Sequence, residues 1–166
     1  MRDTVTYLLP IRASRPAGDE LGAYLRDLAG ACDVIVVDGS APDVFAAHHR
    51  AWSRFATHVA PDPRYACANG KVRGVRTGLD LVRTALTVIA DDDVRYTPAS
   101  LRACIDAAGP DGSAADVVRP QNHFDPCPWH ATWDTARTLV NRAFAADFPG
   151  TLVVRTEALR ATGGYD

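Results

Sequence analysis

Lysine is almost missing from this 166-residue sequence: Lys71 is the only one, and arginine supplies the rest of the 18 cationic side chains. Set against 20 acidic residues, they leave a formal net charge of -2. No overall positive field is available to gather nucleic acid or an anionic membrane surface. Long apolar runs are missing too. Nothing approaches the ~18 consecutive apolar residues of a membrane span. The opening run Val5 to Leu9 is cut by Pro10, too short for a signal peptide and without a small-residue cleavage site. The expectation is a cytoplasmic protein, and the arginine and alanine bias suggests a GC-rich bacterial genome. The four cysteines, Cys32, Cys67, Cys104 and Cys127, form no CxxC pair. A zinc knuckle or thioredoxin-type site is unsupported, and free buried thiols are expected. No serine or cysteine sits in a GxSxG-type setting, so nucleophilic catalysis has no support. Internal repeats and low-complexity tracts are absent.

What is present is an ordinary globular balance, 47% hydrophobic and 23% charged, in a length suited to one domain. β-Branched and apolar runs at Thr4 to Pro10, Val34 to Val37, Thr57 to Ala60, Leu86 to Ala90, Asp116 to Pro120 and Thr151 to Val154 read as strands. Between them lie helical patterns. One starts at Asp19 as a cap and ends near Gly30; a second runs from about Asp43 with Val44, Ala47, Ala51, Trp52 and Phe55 as its stripe. Others span Asn69 to Thr84, Pro98 to the Gly109-Pro110 stop, the stretch after an Asp134 or Thr135 cap, and Glu157 to Ala161. Alternating strands and helices predict an α/β fold, a mainly parallel sheet with helices on both faces. Ligands in such sheets bind at the carboxyl ends of the strands, near the switch point. Three strand ends carry polar groups there: Pro10-Ile11-Arg12, Asp38-Gly39-Ser40 and Asp91-Asp92-Asp93.

The sharpest of these is VIADDDV, Val88 to Val94, three carboxylates directly after a buried strand. If the pleat continues, Asp91 and Asp93 point one way and Asp92 the other. Two such carboxylates make a hard-oxygen site for Mg²⁺ or Mn²⁺ that also takes phosphate oxygens; the alternative is a solvated turn before a helix. Asp38 is placed to accept from a nucleobase or ribose, or merely to form a turn. In the helix after Asn69, Gly70, Gly74 and Gly78 recur every four residues. A glycine stripe costs helix stability, so it signals close approach of a strand or of a ligand. Lys71 in its first turn suits a diphosphate. The segment Pro120 to Trp133 offers Trp129 and Trp133 for stacking a sugar ring, and Asn122, His123 and His130 for hydrogen bonds, with either histidine a candidate base or metal ligand.

Taken together, VTYLLPIRAS, VIVVDGS, NGKVRGVRTGL, VIADDDV and GTLVVRTEALRATGGYD, in this order, resemble the family 2 glycosyltransferases. The resemblance covers nearly the whole chain. It implies the GT-A nucleotide-sugar-binding fold, a Rossmann-like three-layer αβα sandwich in one domain over residues 1–166. It also implies transfer of a sugar, with inversion, from a nucleotide-diphosphate donor to an unknown hydroxyl on a glycan, lipid or small molecule, with Mn²⁺ or Mg²⁺ as cofactor. By position, Pro10, Arg12 and Asp38 would line the nucleoside pocket, and Lys71, Asp91 and Asp92 would lie at the donor. Asp93 and Asp91 would hold the metal, and Asn122, His123, Trp129 and Gly164 would sit near the sugar and acceptor. Members of the family continue past GGxD into a helix with an acidic pair that supplies the base. The sequence ends at Asp166, so the expectation is a truncated domain in which Asp166 is the candidate substitute, with self-association through uncovered surface. The competing expectation is a nucleotide-sugar-binding module without turnover. A phosphoacceptor receiver domain fits less well, because no lysine follows Lys71.

Overall fold

The computed structural model describes residues 4–66, 68–109, 113–121, 128–144 and 151–163. Twelve elements alternate along the chain: β1 (Val5–Ile11), α1 (Asp19–Ala29), β2 (Asp33–Asp38), α2 (Pro42–Trp52), β3 (Thr57–Val59), α3 (Gly70–Leu81), β4 (Leu86–Ile89), α4 (Pro98–Ala108), β5 (Val117–Val118), α5 (Ala131–Ala143), β6 (Leu152–Arg155) and α6 (Thr156–Ala161). They build one six-stranded sheet in the order β3-β2-β1-β4-β6-β5. The first four strands are parallel. β6 runs antiparallel to both β4 and β5. The chain lays β2 and β3 to one side of β1, then returns through α3 to lay β4 on the other. The switch point therefore lies between β1 and β4.

The pleat assigns side chains to two layers. Val5, Tyr7, Leu9 and Ile11 join Val34, Val36, Val88 and Ala90 on the face covered by α1, α2 and α4. Leu8, Ile35, Val37 and Ile89 join Val75 and Leu79 of α3 on the opposite face. Central strands buried on both faces read as continuous apolar runs, as parallel sheets require.

The Gly74 and Gly78 stripe of α3 is explained by the strand beneath it. A Cβ on Gly74 would lie 2.7 Å from the Pro10 Cβ, and one on Gly78 would lie 2.1 Å from Leu8 Cδ1. The helix backbone thus rests directly on β1. A Cβ on Gly70 would meet nothing within 4 Å, so at this position the helix has open space beside it.

Several local expectations differ from the structure. The N-cap of α1 is Gly18, without a side-chain cap bond, so Asp19 is the first helical residue and acts through the helix dipole. α3 ends at Leu81, short of Thr84. β5 has only two residues. α5 begins at Ala131, so Asp134 lies in its first turn and is not its cap.

Candidate active site at the carboxyl edge of the sheet

Four loops leave the sheet at the carboxyl ends of β1 to β4. Backbone ladder bonds run on past the strands here: Gly39 N–H donates to Ile11 O at 2.8 Å, and Ala90 N–H to Leu8 O at 3.1 Å. The Asp91-Asp92-Asp93 segment is not a continuation of the pleat. β4 stops at Ile89, and Val94 N–H donates to Asp91 O at 3.2 Å, closing a turn around Asp92 and Asp93. Pleat alternation therefore does not select the outer carboxylates; the turn sets their directions. Asp92 and Asp93 are exposed and Asp91 is half-buried.

Aromatic residues pin this turn from behind. Tyr96 is buried, stands edge-on to Tyr7 with ring centroids 6.5 Å apart, and its N–H donates to Tyr24 Oη at 2.9 Å. Burial pushes the Tyr96 hydroxyl well above its ordinary range. Arg95 lies over the Tyr24 ring, 5.0 Å from its centroid, and donates to Asp92 O at 2.7 Å.

From the other side comes α3. Asn69 caps it, its Oδ1 accepting from Lys71 N–H at 2.9 Å. Lys71 Nζ then reaches across the switch point to Asp91 Oδ1 at 2.5 Å. The sequence's lone lysine and the first carboxylate of the acidic turn are thereby brought together from elements twenty residues apart. Pro10 is half-buried beneath Gly74, and Arg12 is exposed on the loop after β1.

Asp38 ends β2 and is buried. It continues the Val34 and Val36 row toward α2, and its side chain is 0% exposed. Its Oδ2 meets His48 Nδ1 at 2.6 Å and His58 Nε2 at 3.1 Å, and its Oδ1 accepts from Ser40 N–H at 2.9 Å. Burial works to raise this carboxyl, but the bonds from His58, Ser40 and His48 outweigh it and hold the group well below the usual carboxylate range. His48 Nε2 accepts from Ala17 N–H at 2.8 Å. An amide can only donate, so the ring's proton is on Nδ1 and is given to Asp38. That leaves His48 Nδ1 no lone pair for a metal, although Asp38, His48 and His58 lie close enough together to ligate one. His58 Nδ1 in turn lies 3.1 Å from His49 Nδ1 at the surface.

These histidines belong to no apolar pattern in the sequence. The stripe Val44, Ala47, Ala51, Trp52 and Phe55 does not include His48, which is buried in line with Val44 and Trp52. Three of the five histidines within eleven positions, 48, 49 and 58, was the available signal.

Comparison with solved structures locates the architecture. The chain superposes on the mannosyltransferase PcManGT of Pyrobaculum calidifontis, in complex with GDP-Man and Mn²⁺, with a TM-score of 0.65 and 20% identity over 100% of its length and 48% of that chain. It matches mannosyl-3-phosphoglycerate synthase of Rubrobacter xylanophilus with a TM-score of 0.59 and 18% identity, covering 94% of this chain and 55% of that one. It matches glucosyl-3-phosphoglycerate synthase of Mycobacterium tuberculosis, in complex with Mn²⁺, UDP and phosphoglyceric acid, with a TM-score of 0.63 and 19% identity, covering 95% and 57%. The fold is GT-A. This chain spans about half the length of these GT-A glycosyltransferases. No family model matches the sequence, and no curated protein sequence is significantly similar to it.

In the GT-A frame the acidic turn and Lys71 stand at the switch point, where the sheet directs its ligands. Trp129 and Trp133 are 81% and 74% exposed, before and inside the first turn of α5. Asn122, His123, Gly164 and Asp166 lie outside the described residues, as do Cys67 and Cys127. A cavity of about 450 Å³ lies at the opposite edge, among the strand starts Thr6, Asp33 and Thr57 and the side chains of Arg54 and Arg83. It is remote from the acidic turn. Among the described residues no helix is long and apolar enough to cross a membrane.

Proposed function

We propose that the chain is the donor-binding part of a metal-dependent, inverting glycosyltransferase of the hexosyltransferase type, acting from a nucleotide-diphosphate sugar on an acceptor hydroxyl. The observation that carries the proposal is the meeting of Lys71 with the acidic turn at the switch point of a GT-A sheet. Similar folds that carry GDP-Man with Mn²⁺ or UDP with Mn²⁺ support the donor class and the cation.

The residues fit a hard divalent cation. Carboxylate oxygens are its ordinary ligands, and it retains sites for phosphate oxygens. The turn presents Asp92 and Asp93 to solvent, with Asp91 half-exposed beside them. Asp91 and Asp93 are assigned to Mn²⁺ or Mg²⁺, with Asp92 beside the donor. The cation would supply Lewis-acid charge for the leaving diphosphate. Lys71 already stands on Asp91 and adds a second positive charge at the same place, and the positive end of the α3 dipole adds to it. Pro10 and Arg12 border the nucleoside side. Trp129 offers an exposed indole for sugar stacking. Asn122, His123, Gly164 and Asp166 complete the proposed sugar and acceptor side, with Asp166 the candidate base.

The test is a binding panel of UDP, GDP and their sugars with and without Mn²⁺, followed by sugar release. Metal-dependent binding with slow turnover on addition of acceptor alcohols supports the proposal. Tight binding with no release of sugar from any donor favours a binding module. No binding by any nucleotide contradicts both.

A further inference from the structure

The loop between β1 and α1, residues 12–18, borders the proposed donor site and carries the exposed guanidinium groups Arg12 and Arg15. It is tied down at two points. Ala13 N–H donates to Ser40 Oγ at 2.9 Å. Ala17 N–H donates to His48 Nε2 at 2.8 Å. Both anchors lead to one group. Ser40 N–H and His48 Nδ1 are each bonded to the Asp38 carboxylate, at 2.9 and 2.6 Å. The carboxylate itself is fixed by His58 from β3, and the His48 ring is stacked on Trp52 with centroids 4.2 Å apart.

We infer that His48 is a positioning residue: with Asp38 and Ser40 it forms a latch that holds the 12–18 loop in the conformation that receives the donor. The inference rests on the donor-binding reading above and extends it to the residues that anchor the loop. A loop held in its bound conformation binds without the entropy cost of ordering it first. Imidazole is suited to the task because it offers a donor and an acceptor on opposite sides of a rigid ring. The Nδ1 proton is drawn to Asp38, which leaves Nε2 to accept the loop amide. A residue with only one of the two groups keeps only one of the two bonds.

That division gives the experiment. Asn at position 48 keeps an N–H near the Nδ1 position and lacks an acceptor that reaches Ala17. Gln keeps a carbonyl oxygen near the Nε2 position. Hydrogen exchange of the full chain is followed by mass spectrometry in wild type, His48→Asn, His48→Gln and Ser40→Ala. Binding of UDP and GDP with Mn²⁺ is measured on the same proteins. Exchange in the 12–18 segment should rise about tenfold or more in His48→Asn and in Ser40→Ala, with β1 and β4 unchanged, and should return toward wild type in His48→Gln. Nucleotide affinity should fall in the same order, roughly tenfold for His48→Asn.

Unchanged exchange of the loop in both His48→Asn and Ser40→Ala overturns the latch. Ser40→Ala decides alone if His48→Asn does not fold. Faster loop exchange with unchanged nucleotide affinity overturns its connection to the donor. If wild type binds neither nucleotide, the donor reading fails and takes that connection with it, while the exchange pattern of the four proteins still decides whether the latch exists.

Discussion

At the scale of single residues, Asp38 shows how the same sequence feature serves two structures. A carboxylate at the end of a parallel strand is placed for a ligand, yet the pleat turns this one toward α2. There the two histidines and Ser40 N–H saturate it. A buried carboxylate that loses its charge while its donors remain costs about 1–3 kcal/mol. Asp38→Asn is therefore expected to lower stability at neutral pH by about 2 kcal/mol. The pH dependence has a definite sign. The folded carboxyl lies below its unfolded value, which is about 4. Its contribution is fully present above that value and is lost as pH falls from there through the depressed folded one. Urea unfolding between pH 3 and 7 should show the wild-type and Asp38→Asn stabilities converging toward the acid end. A constant gap would contradict the assignment. The carboxylate is legible in the sequence and its partners are not, because His48 and His58 come from two other elements and neither fits an apolar template.

The element that best displays the link from sequence to packing is α3. Its glycines are spaced to lie on one side, and that spacing left two explanations open. The structure divides them by position. Gly74 and Gly78 admit β1, whereas Gly70 faces open space. Opposite signs follow for the same substitution. At Gly74, alanine gains up to about 1 kcal/mol of helix propensity. It must also displace the Pro10 ring, which is fixed to the backbone, and overpacking costs about 1–3 kcal/mol. Gly74→Ala is expected to lose about 1–2 kcal/mol net. Gly70→Ala should be neutral or stabilising by up to about 1 kcal/mol. Thermal melts of the two variants check this, and a stabilised Gly74→Ala would show that α3 does not rest on β1. Helix and strand alternation was legible throughout. The pairing directions were not, because periodicity reports which residues are buried and not which way a strand runs. So the antiparallel β6, wedged between β4 and β5, is visible only in the structure. The start of α5 was obscured by the same limit: the density of tryptophan and histidine before Asp134 reads as loop, although Trp133 is helical and exposed.

For the molecule as a whole, the parallel β3-β2-β1-β4 core sets the carboxyl edge as the place where such sheets take ligands, and the acidic turn reaches it without belonging to a strand. The turn changes what the carboxylates can be expected to do. With Val94 N–H closing it on Asp91 O, all three side chains leave a short arc, and the choice of metal ligands becomes a question for single variants. The proposed assignment expects Asp93→Ala to abolish the metal dependence of nucleotide binding and Asp92→Asn to weaken it less. Lys71→Ala should weaken diphosphate binding by about tenfold, the order expected for removing one charge-assisted bond. Nucleoside binding without phosphates should be left unchanged.

The central claim is that this edge binds a nucleotide diphosphate through a divalent cation on the acidic turn. Isothermal titration of wild type and Asp93→Ala with UDP and with GDP, each with Mn²⁺ and with chelator, tests it most directly. The account predicts binding of at least one nucleotide by wild type that needs Mn²⁺, and no Mn²⁺-dependent component in Asp93→Ala. Equal binding with and without Mn²⁺ in wild type, or an undiminished Mn²⁺ effect in Asp93→Ala, would contradict it.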